Sequence, residues 1–536
     1  MKRFLSAVTA SLLEPRSKLL VLLLCAAWLL MLAGTRSLML PDEGRYVGVA
    51  LAMLSSGDWL TPTLDGLPYF HKPPLFYWLT GLALQLFGVN DWAARLASVF
   101  GALLAVGGLF FFVARHAQQR LATVAVAVLV TQPMFFAAAQ YANLDMLVAG
   151  MISATIVCGA SAILRLDSGR SYRPALAAAY VFAALGVLAK GLIGFVLPGA
   201  ILLAWLLLRR RYRLIPALLS LPMIGLFLAV AAPWFVWMQI SYPGFWDYFF
   251  VYHHFQRFSQ TGFSNAQPFW FYIPVLLLGA LPWSPWILRV CSWKYLVDPE
   301  RGDIRSLMLL WMFGILVFFS LPNSKLVGYI LPALPPLAFL IADVLLGWLQ
   351  QRAQGQDEGP SARRSLYLGG SLFLAASLCV AFIALVVVFD STSTRSLSKQ
   401  VAPLYSSDDQ LVMIDEYEYD LPFYLRPDRD VWVVSEWQDA AAIAARDNWR
   451  KELYDAGQFD AEKMRAVLLL PEEFVARLCA YTGASLWVWG KTAQAQRYSF
   501  LPEQAIAFAD DRRTVWRLDA AQRRPPKDCK QPAPAG

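Results

Sequence analysis

Ionisable residues gather in the stretch that follows the first apolar segment of the chain. It reads LPDEGRYVGVALAMLSSGDWLTPTLDGLPYFHKPPLFYW and contains the acid pair Asp42 and Glu43, then Arg45, and finally His71 and Lys72. A carboxylate at a partly desolvated interface can orient or deprotonate a nucleophile, and cations beside it can stabilise an anionic leaving group. The spacing therefore predicts the core of an active site at a membrane–water boundary.

The composition is that of a membrane protein. Of the 536 residues, 58% are hydrophobic and only 16% are charged, whereas soluble domains average about 25% charged residues. Repeated apolar runs of roughly twenty residues predict a mainly α-helical protein that crosses the membrane many times. The net charge of +8 combines +11 in residues 1–390 (27 Lys/Arg against 16 Asp/Glu) with −3 in residues 391–536 (19 against 22). The excess of the membrane part sits in short loops, where it sets membrane orientation, so the charge does not indicate a nucleic-acid partner.

The order of apolar and basic segments predicts the topology. We expect spans at 19–39, 93–114, 121–138, 146–164, 174–189, 191–208, 214–238, 269–289, 305–321, 326–349 and 365–389. The apolar segment Pro74–Val89 is shorter than the roughly 20 residues that cross a bilayer, and it suits a helix lying in the interface. With that segment outside, every strongly basic short loop is cytoplasmic, as the positive-inside rule requires. The N-terminus is then inside and the C-terminus outside.

In this topology, ionisable groups from segments far apart in sequence fall on the outer face. They are Asp42, Glu43, Arg45, His71, Lys72, Asp145, Lys190, His253, His254, Arg257, Lys325 and Tyr329. Asp42 is the first candidate for a base or a substrate orienter, and Asp145 is the second. Glu43 is a candidate for substrate binding, with a purely structural role as its alternative.

Five cations on this face suit a site that grips a phosphate group. They are Arg45, Lys72, Lys190, Arg257 and Lys325. Negative charge grows on a lipid phosphate leaving group in the transition state, and cations would stabilise it. Tyr329 is placed to donate to the same oxygen. The alternative is that these cations are charged ends of spans that reach the interface.

Three of the four histidines in the chain, His71, His253 and His254, fall on the same face. Imidazole is a common ligand of divalent metals, but these three residues come from separate loops and lack a diagnostic spacing. A divalent metal ion is therefore one alternative, and polar packing is the other. No further cofactor is predicted.

The sequence changes character after Asp390. Five short strand-like runs alternate with polar helical stretches, a pattern that predicts a small α/β domain. The runs are LVMIDEYEYDLPFYL, VWVV, RAVLLLP, LWVWG and TVWRLD. The predicted domains are thus 1–390, which spans the membrane, and 391–536, which lies outside it. Cys479 and Cys529 both fall in the second domain, and whether they pair stays open.

These motifs together resemble the bacterial lipid A aminoarabinose transferases, within the protein O-mannosyltransferase-like superfamily of GT-C type membrane glycosyltransferases. The match runs through most of the membrane part, in one order: the PDEGRY to HKPPLFYW stretch, NLDM, AKG, YHHFQRF with PFWFYIP, and SKLVGYILPALPP. The resemblance implies a GT-C bundle of about 11–13 transmembrane helices with periplasmic juxtamembrane helices. The segment Pro74–Val89 would be one of them.

The resemblance also implies roles for individual residues. The catalytic aspartate of the family falls on Asp42, with its neighbouring arginine on Arg45. The Lys-Pro-Pro lysine falls on Lys72 and the second aspartate on Asp145.

Further family positions lie later in the chain. The histidine of the Glu-His pair falls on His254, and the Lys–Tyr motif falls on Lys325 and Tyr329. His71 stands where the family has the glutamate that can bind its divalent metal, so His71 and His254 form a candidate metal pair.

The function implied is transfer of a sugar, aminoarabinose or a related pentose or hexose, from undecaprenyl phosphate at the periplasmic face of the bacterial inner membrane. Lipid A phosphate is the first acceptor, and another envelope glycan or a protein is the alternative. A different class of function, a non-enzymatic transporter or flippase of lipid-linked sugars, also suits a multi-span chain. Clustering of the ionisable groups at one face argues against it, because carrier sites usually lie near the bilayer midplane.

Overall fold

The fold is described on a computed structural model of the full chain. The described residues are 18–256, 266–297, 302–354, 360–390, 392–481, 484–498, 501 and 503–519.

Two compact units make up the chain. The residues up to Arg36, together with His71–Phe389, form the membrane unit. Ser37–Phe70 and the residues from Asp390 onward form the mixed unit. The segment Ser37–Phe70, which holds Asp42 and Arg45, is therefore grouped with the C-terminal residues, whereas the sequence alone drew one boundary near residue 390.

The membrane unit is built from helices. Its α-helices are Lys18–Leu30, Leu75–Phe87, Leu96–His116, Gln119–Val130, Pro133–Ala139, Leu144–Asp167, Arg173–Lys190, Ile193–Leu208, Ile215–Leu218, Leu221–Ser241, Tyr272–Gly279, Pro285–Val290, Trp293–Val297, Gly302–Ser320, Leu334–Gln354 and Pro360–Phe389. Short 3₁₀ turns at Ala93–Arg95, Tyr212–Leu214 and Val327–Ala333 and a π-helix at Asp247–Gln256 complete it.

Within the described residues, seven helices are long and apolar enough to cross a membrane, or eight if the pair Gln119–Val130 and Pro133–Ala139, bent by 70°, is one span. This chain is therefore a multi-pass membrane protein. The predicted polytopic, mainly helical fold is confirmed, and apolar helices of 10–17 residues accompany these long ones. The predicted first span is helical only over Lys18–Leu30, and Ile193–Leu208 has 16 residues.

The predicted span 269–289 is wrong as a single helix. It forms Tyr272–Gly279 and Pro285–Val290, separated by a turn that contains Pro282. Hydropathy counted these residues as one apolar run, but proline cannot donate the backbone hydrogen bond that a continuous helix requires. The helix Leu75–Phe87, with 13 residues, is too short to cross a bilayer of about 30 Å.

Small residues allow close contact between the long helices of this unit. A Cβ atom added to Gly150 would overlap the backbone of Gly101, so the helices Leu96–His116 and Leu144–Asp167 touch backbone to backbone there. Gly186 and Gly194 make a similar contact. Apolar membrane helices have little hydrophobic drive to associate with one another, and small residues at such positions let van der Waals packing hold them together.

The mixed unit contains a six-stranded sheet. Its strands are β3 (Gln410–Ile414), β4 (Trp432–Val434), β5 (Leu468–Leu469), β6 (Leu486–Gly490), β7 (Ile506–Ala509) and β8 (Thr514–Leu518), and a hairpin of β1 (Thr63–Leu64) and β2 (Leu67–Pro68) precedes them. The order is β5-β4-β3-β6-β8-β7, with β5, β4, β3 and β6 parallel and the last two strands antiparallel.

Helices accompany this sheet. They are Asp42–Ser56, Arg395–Val401, Leu421–Leu425, Ala440–Ala444, Trp449–Gly457, Ala461–Val467 and Pro471–Ala480, with 3₁₀ turns at Thr492–Gln496 and Glu503–Ala505. The α/β prediction for the C-terminal residues is confirmed. The strand β7 was not predicted, because its IAFA sequence is short and three of its four residues are exposed. Cys479 is disulfide-bonded, and Cys529 lies outside the described residues.

Candidate functional site

The helix Asp42–Ser56 carries the first predicted acids in the mixed unit. Its first turn contains Asp42 and Glu43, where negative side chains interact favourably with the positive end of the helix dipole. Gly44 lets this turn approach the loop after β3, because a Cβ there would lie 2.8 Å from the amide nitrogen of Asp420 and 2.9 Å from the carbonyl carbon of Tyr419. The two acids thus favour the start of the helix here, and Gly44 lets this start pack against Tyr419 and Asp420, which are far away in sequence.

Arg45 lies between two carboxylates. Its Nη2 is 2.5 Å from Asp42 Oδ1, and its Nη1 donates to Glu452 Oε1 on the helix Trp449–Gly457. The guanidinium also lies 4.9 Å from the ring centroid of Tyr46. Burial alone would lower the pKa of Arg45, but Glu452 and other neighbouring groups raise it well above its ordinary value. Arg45 is therefore a charged anchor that joins Asp42 to Glu452.

Tyr419 completes this cluster. Its hydroxyl donates to Glu452 Oε2 over 2.6 Å, so both oxygens of that carboxylate are engaged. Burial and the charge of Glu452 raise the pKa of Tyr419 well above its ordinary value, which keeps the phenol protonated as a donor. We call Asp42, Arg45, Tyr419 and Glu452 the acid–arginine cluster.

The two neighbouring acids differ in accessibility. The Asp42 side chain is 33% exposed, compared with 14% for Arg45 and 10% for Glu452. Glu43 is fully buried and accepts a hydrogen bond from the backbone N–H of Met39 over 2.9 Å. Asp42 is thus the acid that a reactant can reach, and the contacts of Glu43 match the structural alternative for this residue.

Asp145 and Lys190 meet in the membrane unit because of the way their helices are joined. Asp145 lies in the first turn of Leu144–Asp167, and Lys190 is the last residue of Arg173–Lys190. A short connection makes such helices antiparallel, so the start of one lies beside the end of the other. Lys190 Nζ forms an ion pair with Asp145 Oδ1. Gly191, with φ of 99°, ends the second helix.

Tyr329 joins this pair. Lys190 Nζ lies 4.3 Å from the centroid of the Tyr329 ring, which is a cation–π contact. Gly328, next to Tyr329, lets the backbone approach the Asp145 carboxylate, because a Cβ on Gly328 would lie 2.5 Å from Asp145 Oδ2. The predicted residues Asp145, Lys190 and Tyr329 are thus in contact, and we call them the lysine–tyrosine cluster.

Lys325 has a different environment. It is buried, and its Nζ donates to the carbonyl oxygens of Gln267, over 2.8 Å, and Pro322, over 2.5 Å. Burial lowers the pKa of this ammonium. An ammonium has three donors, so two backbone carbonyls leave one of them for a further acceptor.

The remaining predicted residues divide into two groups. His71 and Lys72 are half-buried and are the first two residues of the segment His71–Phe389 of the membrane unit. The centroid of the His71 ring lies 6.0 Å from that of the Tyr248 ring. Arg257 and the side chains of His253 and His254 lie outside the described residues. Among the side chains that the structure describes, no group of three or more His, Cys, Asp or Glu could hold a metal ion.

Two residues of the acid–arginine cluster were missed by sequence reasoning. Glu452 lies 407 positions after Arg45, in one of the polar helical stretches of the C-terminal residues. Tyr419 belongs to DEYEYD, a run of alternating acids and tyrosines directly after β3. That alternation is an available signal, since a loop at the carboxyl end of a parallel strand often holds functional groups.

Comparison with known proteins gives sequence relatives. Residues 71–237 match the family model described as dolichyl-phosphate-mannose-protein mannosyltransferase. The chain is 36% identical over 315 residues to undecaprenyl phosphate-alpha-4-amino-4-deoxy-L-arabinose arabinosyl transferase 1 of Sodalis glossinidius, covering 57% of this chain and 55% of the relative. The corresponding transferase of Shewanella sediminis is 31% identical over 60% of this chain and 58% of its own. The chain thus spans somewhat over half the length of the curated relatives it matches.

Solved structures extend the similarity to nearly the whole chain. ArnT from Cupriavidus metallidurans bound to undecaprenyl phosphate has a TM-score of 0.77 at 23% identity, covering 94% of this chain and 98% of ArnT. The archaeal oligosaccharyltransferase AglB from Archaeoglobus fulgidus, with a TM-score of 0.50 at 14% identity, shares the fold more distantly. The resemblance drawn from the motifs is therefore confirmed: this chain has the GT-C fold of ArnT and is related in sequence to the aminoarabinose transferases.

Proposed function

We propose that this protein is a glycosyltransferase that moves a sugar from undecaprenyl phosphate to an extracytoplasmic acceptor. The sugar is 4-amino-4-deoxy-L-arabinose and the acceptor is a phosphate of lipid A. The observation that carries the proposal is the relationship at 31–36% identity to proteins named as undecaprenyl phosphate aminoarabinose arabinosyl transferases. The contacts that the predicted residues Asp42 and Arg45, and Asp145, Lys190 and Tyr329, make within the two clusters support it.

The reaction breaks the bond between the anomeric carbon of the sugar and the undecaprenyl phosphate oxygen. An oxygen of the acceptor phosphate forms the new bond to that carbon, and undecaprenyl phosphate leaves with the electron pair of the broken bond. A lipid A phosphate is already ionised near neutral pH, so it needs positioning rather than deprotonation. The charge that must be stabilised is the charge that develops on the leaving phosphate.

Asp42 is the residue to which we assign positioning of the acceptor. Its carboxylate is accessible, and Arg45 fixes its orientation through the contact with Asp42 Oδ1. A carboxylate cannot itself attract a phosphate, so Asp42 acts on hydrogen-bond donors of the reactants, such as hydroxyl or amino groups of the sugars. Arg45, which is held by two carboxylates, is a positioning residue in this scheme.

Lys190 is the residue to which we assign the leaving phosphate. Its ammonium is held at one helix end by Asp145 and by the Tyr329 ring. A cation held in place before the reaction stabilises developing charge without further reorganisation. Lys72 and Lys325 are further candidates for the same phosphate. The metal prediction for His71, His253 and His254 stays open, and no step of this scheme passes through a metal.

We place the reaction at the periplasmic side of the bacterial inner membrane. The support is the distribution of arginines, since the short connections around Arg115, Arg165 and Arg211 are strongly basic and favour the cytoplasmic side. Asp145 and Arg165 lie at opposite ends of one 24-residue helix. The lysine–tyrosine cluster is then on the periplasmic side.

A transporter of lipid-linked sugars is the second candidate function. Carrier sites lie near the bilayer midplane, usually at broken helices. Asp145 and Lys190 instead lie at helix ends, in the first turn and at the last residue of their helices. That position favours chemistry at a membrane face.

Mass spectrometry of lipid A from cells with and without the protein tests the proposal. We expect a pentosamine-sized addition to lipid A phosphates that the deletion loses and wild type restores. Asp42→Asn and Lys190→Gln should fail to restore it at equal protein levels, whereas Asp511→Asn, which changes an exposed acid of the mixed unit, should restore it fully. Unchanged lipid A in the deletion would move the acceptor to another envelope glycan or to a protein. Undiminished transfer by Asp42→Asn would contradict the assignment of that residue.

A further inference from the structure

A cavity lined by arginines opens in the membrane unit, far from the lysine–tyrosine cluster. Its volume is about 910 Å³, and its wall includes Arg165 and Asp167 at the end of the helix Leu144–Asp167. Asp145 lies in the first turn of the same helix, which at 1.5 Å per residue is about 36 Å long. The cavity is therefore not a part of the proposed transfer site.

The cavity has an excess of positive charge. Among the described residues, its wall contains the six arginines Arg115, Arg120, Arg165, Arg170, Arg211 and Arg305 but only three acids, all aspartates. Six guanidinium groups against three carboxylates leave a net charge of three. Like charges collected around one cavity repel one another, so an arrangement of this kind is stable when an anion is bound among them.

The aspartates of the cavity are already used by two of its arginines. Arg211 Nη2 lies 2.8 Å from Asp303 Oδ2 and 2.9 Å from Asp167 Oδ2. Arg305 Nη2 lies 3.1 Å from Asp343 Oδ2, which also accepts a hydrogen bond from the Tyr295 hydroxyl. The acids therefore neutralise the part of the wall that Arg211 and Arg305 form.

The other four arginines of the cavity wall have no acidic partner among the described residues. In the part of the chain that the structure describes, no ion pair joins Arg115, Arg120, Arg165 or Arg170 to a carboxylate. Arg165 is half-buried, and its Nε is buried without a hydrogen-bond partner among the described groups. A buried donor with no acceptor destabilises the protein, so a ligand with phosphate oxygens would relieve this cost.

The cavity lies where spanning helices end. His116, Asp167, Gly302 and Gln350 all line it, and each is a terminal residue of a helix long and apolar enough to cross a membrane. This is the level at which lipid head groups lie. Apolar side chains, Leu121 and Leu346 among them, also line the wall, as contact with the upper part of an acyl chain requires.

We propose that this cavity binds the phosphate head group of an anionic phospholipid. Guanidinium groups bind phosphate through paired hydrogen bonds, and Arg115, Arg165 and Arg170 supply them. Basic pockets between membrane helices on the cytoplasmic side are suited to such head groups. A soluble anion would share the phosphate chemistry but would gain nothing from the apolar wall or from the position at the helix ends.

Native mass spectrometry of the full-length protein in detergent tests the proposal, with phosphatidylglycerol and phosphatidylcholine titrated separately. We expect tight binding of one phosphatidylglycerol and only weak, non-saturating binding of phosphatidylcholine. One arginine near an anionic membrane surface contributes about fivefold to affinity. Arg165→Gln should therefore weaken phosphatidylglycerol about fivefold, and Arg115→Gln/Arg170→Gln about 25-fold. The second variant changes only exposed side chains without ion pairs, so it should fold normally.

Arg213→Gln is the matched control, because Arg213 is an exposed arginine two residues from Arg211 that does not line the cavity. It should bind phosphatidylglycerol as wild type does. Equal binding of both lipids, or wild-type affinity in Arg115→Gln/Arg170→Gln, would overturn the proposal. Displacement of the lipid by inorganic diphosphate at the concentration of the lipid itself would overturn it too, since the cavity would then be a site for a soluble anion.

Discussion

Glu452→Gln is the perturbation that tests most directly how the mixed unit holds Asp42 in place. Glu452 accepts from Arg45 on one oxygen and from Tyr419 on the other. Glutamine has almost the same shape but carries an NH₂ group in place of one oxygen, so one of these two donors must lose its acceptor. The charge that opposes Arg45 also falls from two carboxylates to one.

The size of the effect follows from burial. The side chains of Arg45 and Glu452 are only 14% and 10% exposed, so water can replace little of the lost contact. An unsatisfied buried donor costs about 1–3 kcal/mol, with charged groups at the upper end. We therefore expect the helix Asp42–Ser56 to lose about 2–3 kcal/mol of local stability.

Hydrogen–deuterium exchange of the full-length protein in detergent measures this loss at the helix itself. Amides that exchange through local opening report the free energy of that opening, and 1.4 kcal/mol corresponds to a tenfold change in rate. Amides of Asp42–Ser56 should exchange about 30-fold to 150-fold faster in Glu452→Gln. Glu462→Gln, which changes an exposed glutamate of the neighbouring helix, should leave them unchanged.

A double-mutant cycle separates the contact from general destabilisation. Arg45→Met removes the same ion pair from the other side, so the double variant Arg45→Met/Glu452→Gln should be less destabilised than the sum of the two single variants. Additive effects, or exchange in Glu452→Gln within threefold of wild type, would refute the reasoning that this ion pair holds the helix.

Three further outcomes are expected. Gly44→Ala should speed hydrogen–deuterium exchange of the helix Asp42–Ser56 about tenfold or more, because the new Cβ would lie 2.8 Å from the backbone nitrogen of Asp420. Gly48→Ala should have little effect in the same measurement, because the nearest atom to its Cβ would be 3.5 Å away. Burial raises the pKa of Asp420 to about 6. The folded state therefore binds more protons than the unfolded state between about pH 4 and 6, and the free energy of unfolding falls as pH rises through that range. Thermal unfolding of Asp420→Asn should depend less on pH there, and an unchanged dependence would contradict this. Lys190→Gln should lower the rate of sugar transfer about 10²-fold to 10³-fold in an assay with purified undecaprenyl-phosphate sugar. Arg173→Gln, at the other end of the same helix, should retain activity. Equal loss of activity in both variants would indicate general damage to the helix.

Part of the lysine–tyrosine cluster could be predicted from the sequence. Hydropathy located both helices to within a few residues, and their short connection made them antiparallel. An acid in the first turn of one helix and a lysine at the end of the next must then lie at the same end of the pair. The contact between Asp145 and Lys190 thus follows from local patterns and one connection.

The length of the spans was less predictable. Hydropathy measures how apolar a run of residues is, but it does not show where the helix within it stops. The predicted segment 269–289 is apolar throughout, and yet prolines divide it into two short helices. The bend of 70° between Gln119–Val130 and Pro133–Ala139 has a similar origin, since Pro133 begins the second helix.

The sequence by itself determined the membrane character, the order of the helices, five strands of the sheet and the residue types that could handle a sugar phosphate, because each is encoded in composition, in local periodicity or in a short motif. Only the tertiary structure decided which carboxylate opposes Arg45, since Glu452 lies 407 residues away and no local pattern links the two. It also decided which of two adjacent acids is accessible: Glu43 is buried and Asp42 is not. Successive side chains of a helix point in directions about 100° apart, so neighbours in sequence face different surroundings that only the packed fold supplies.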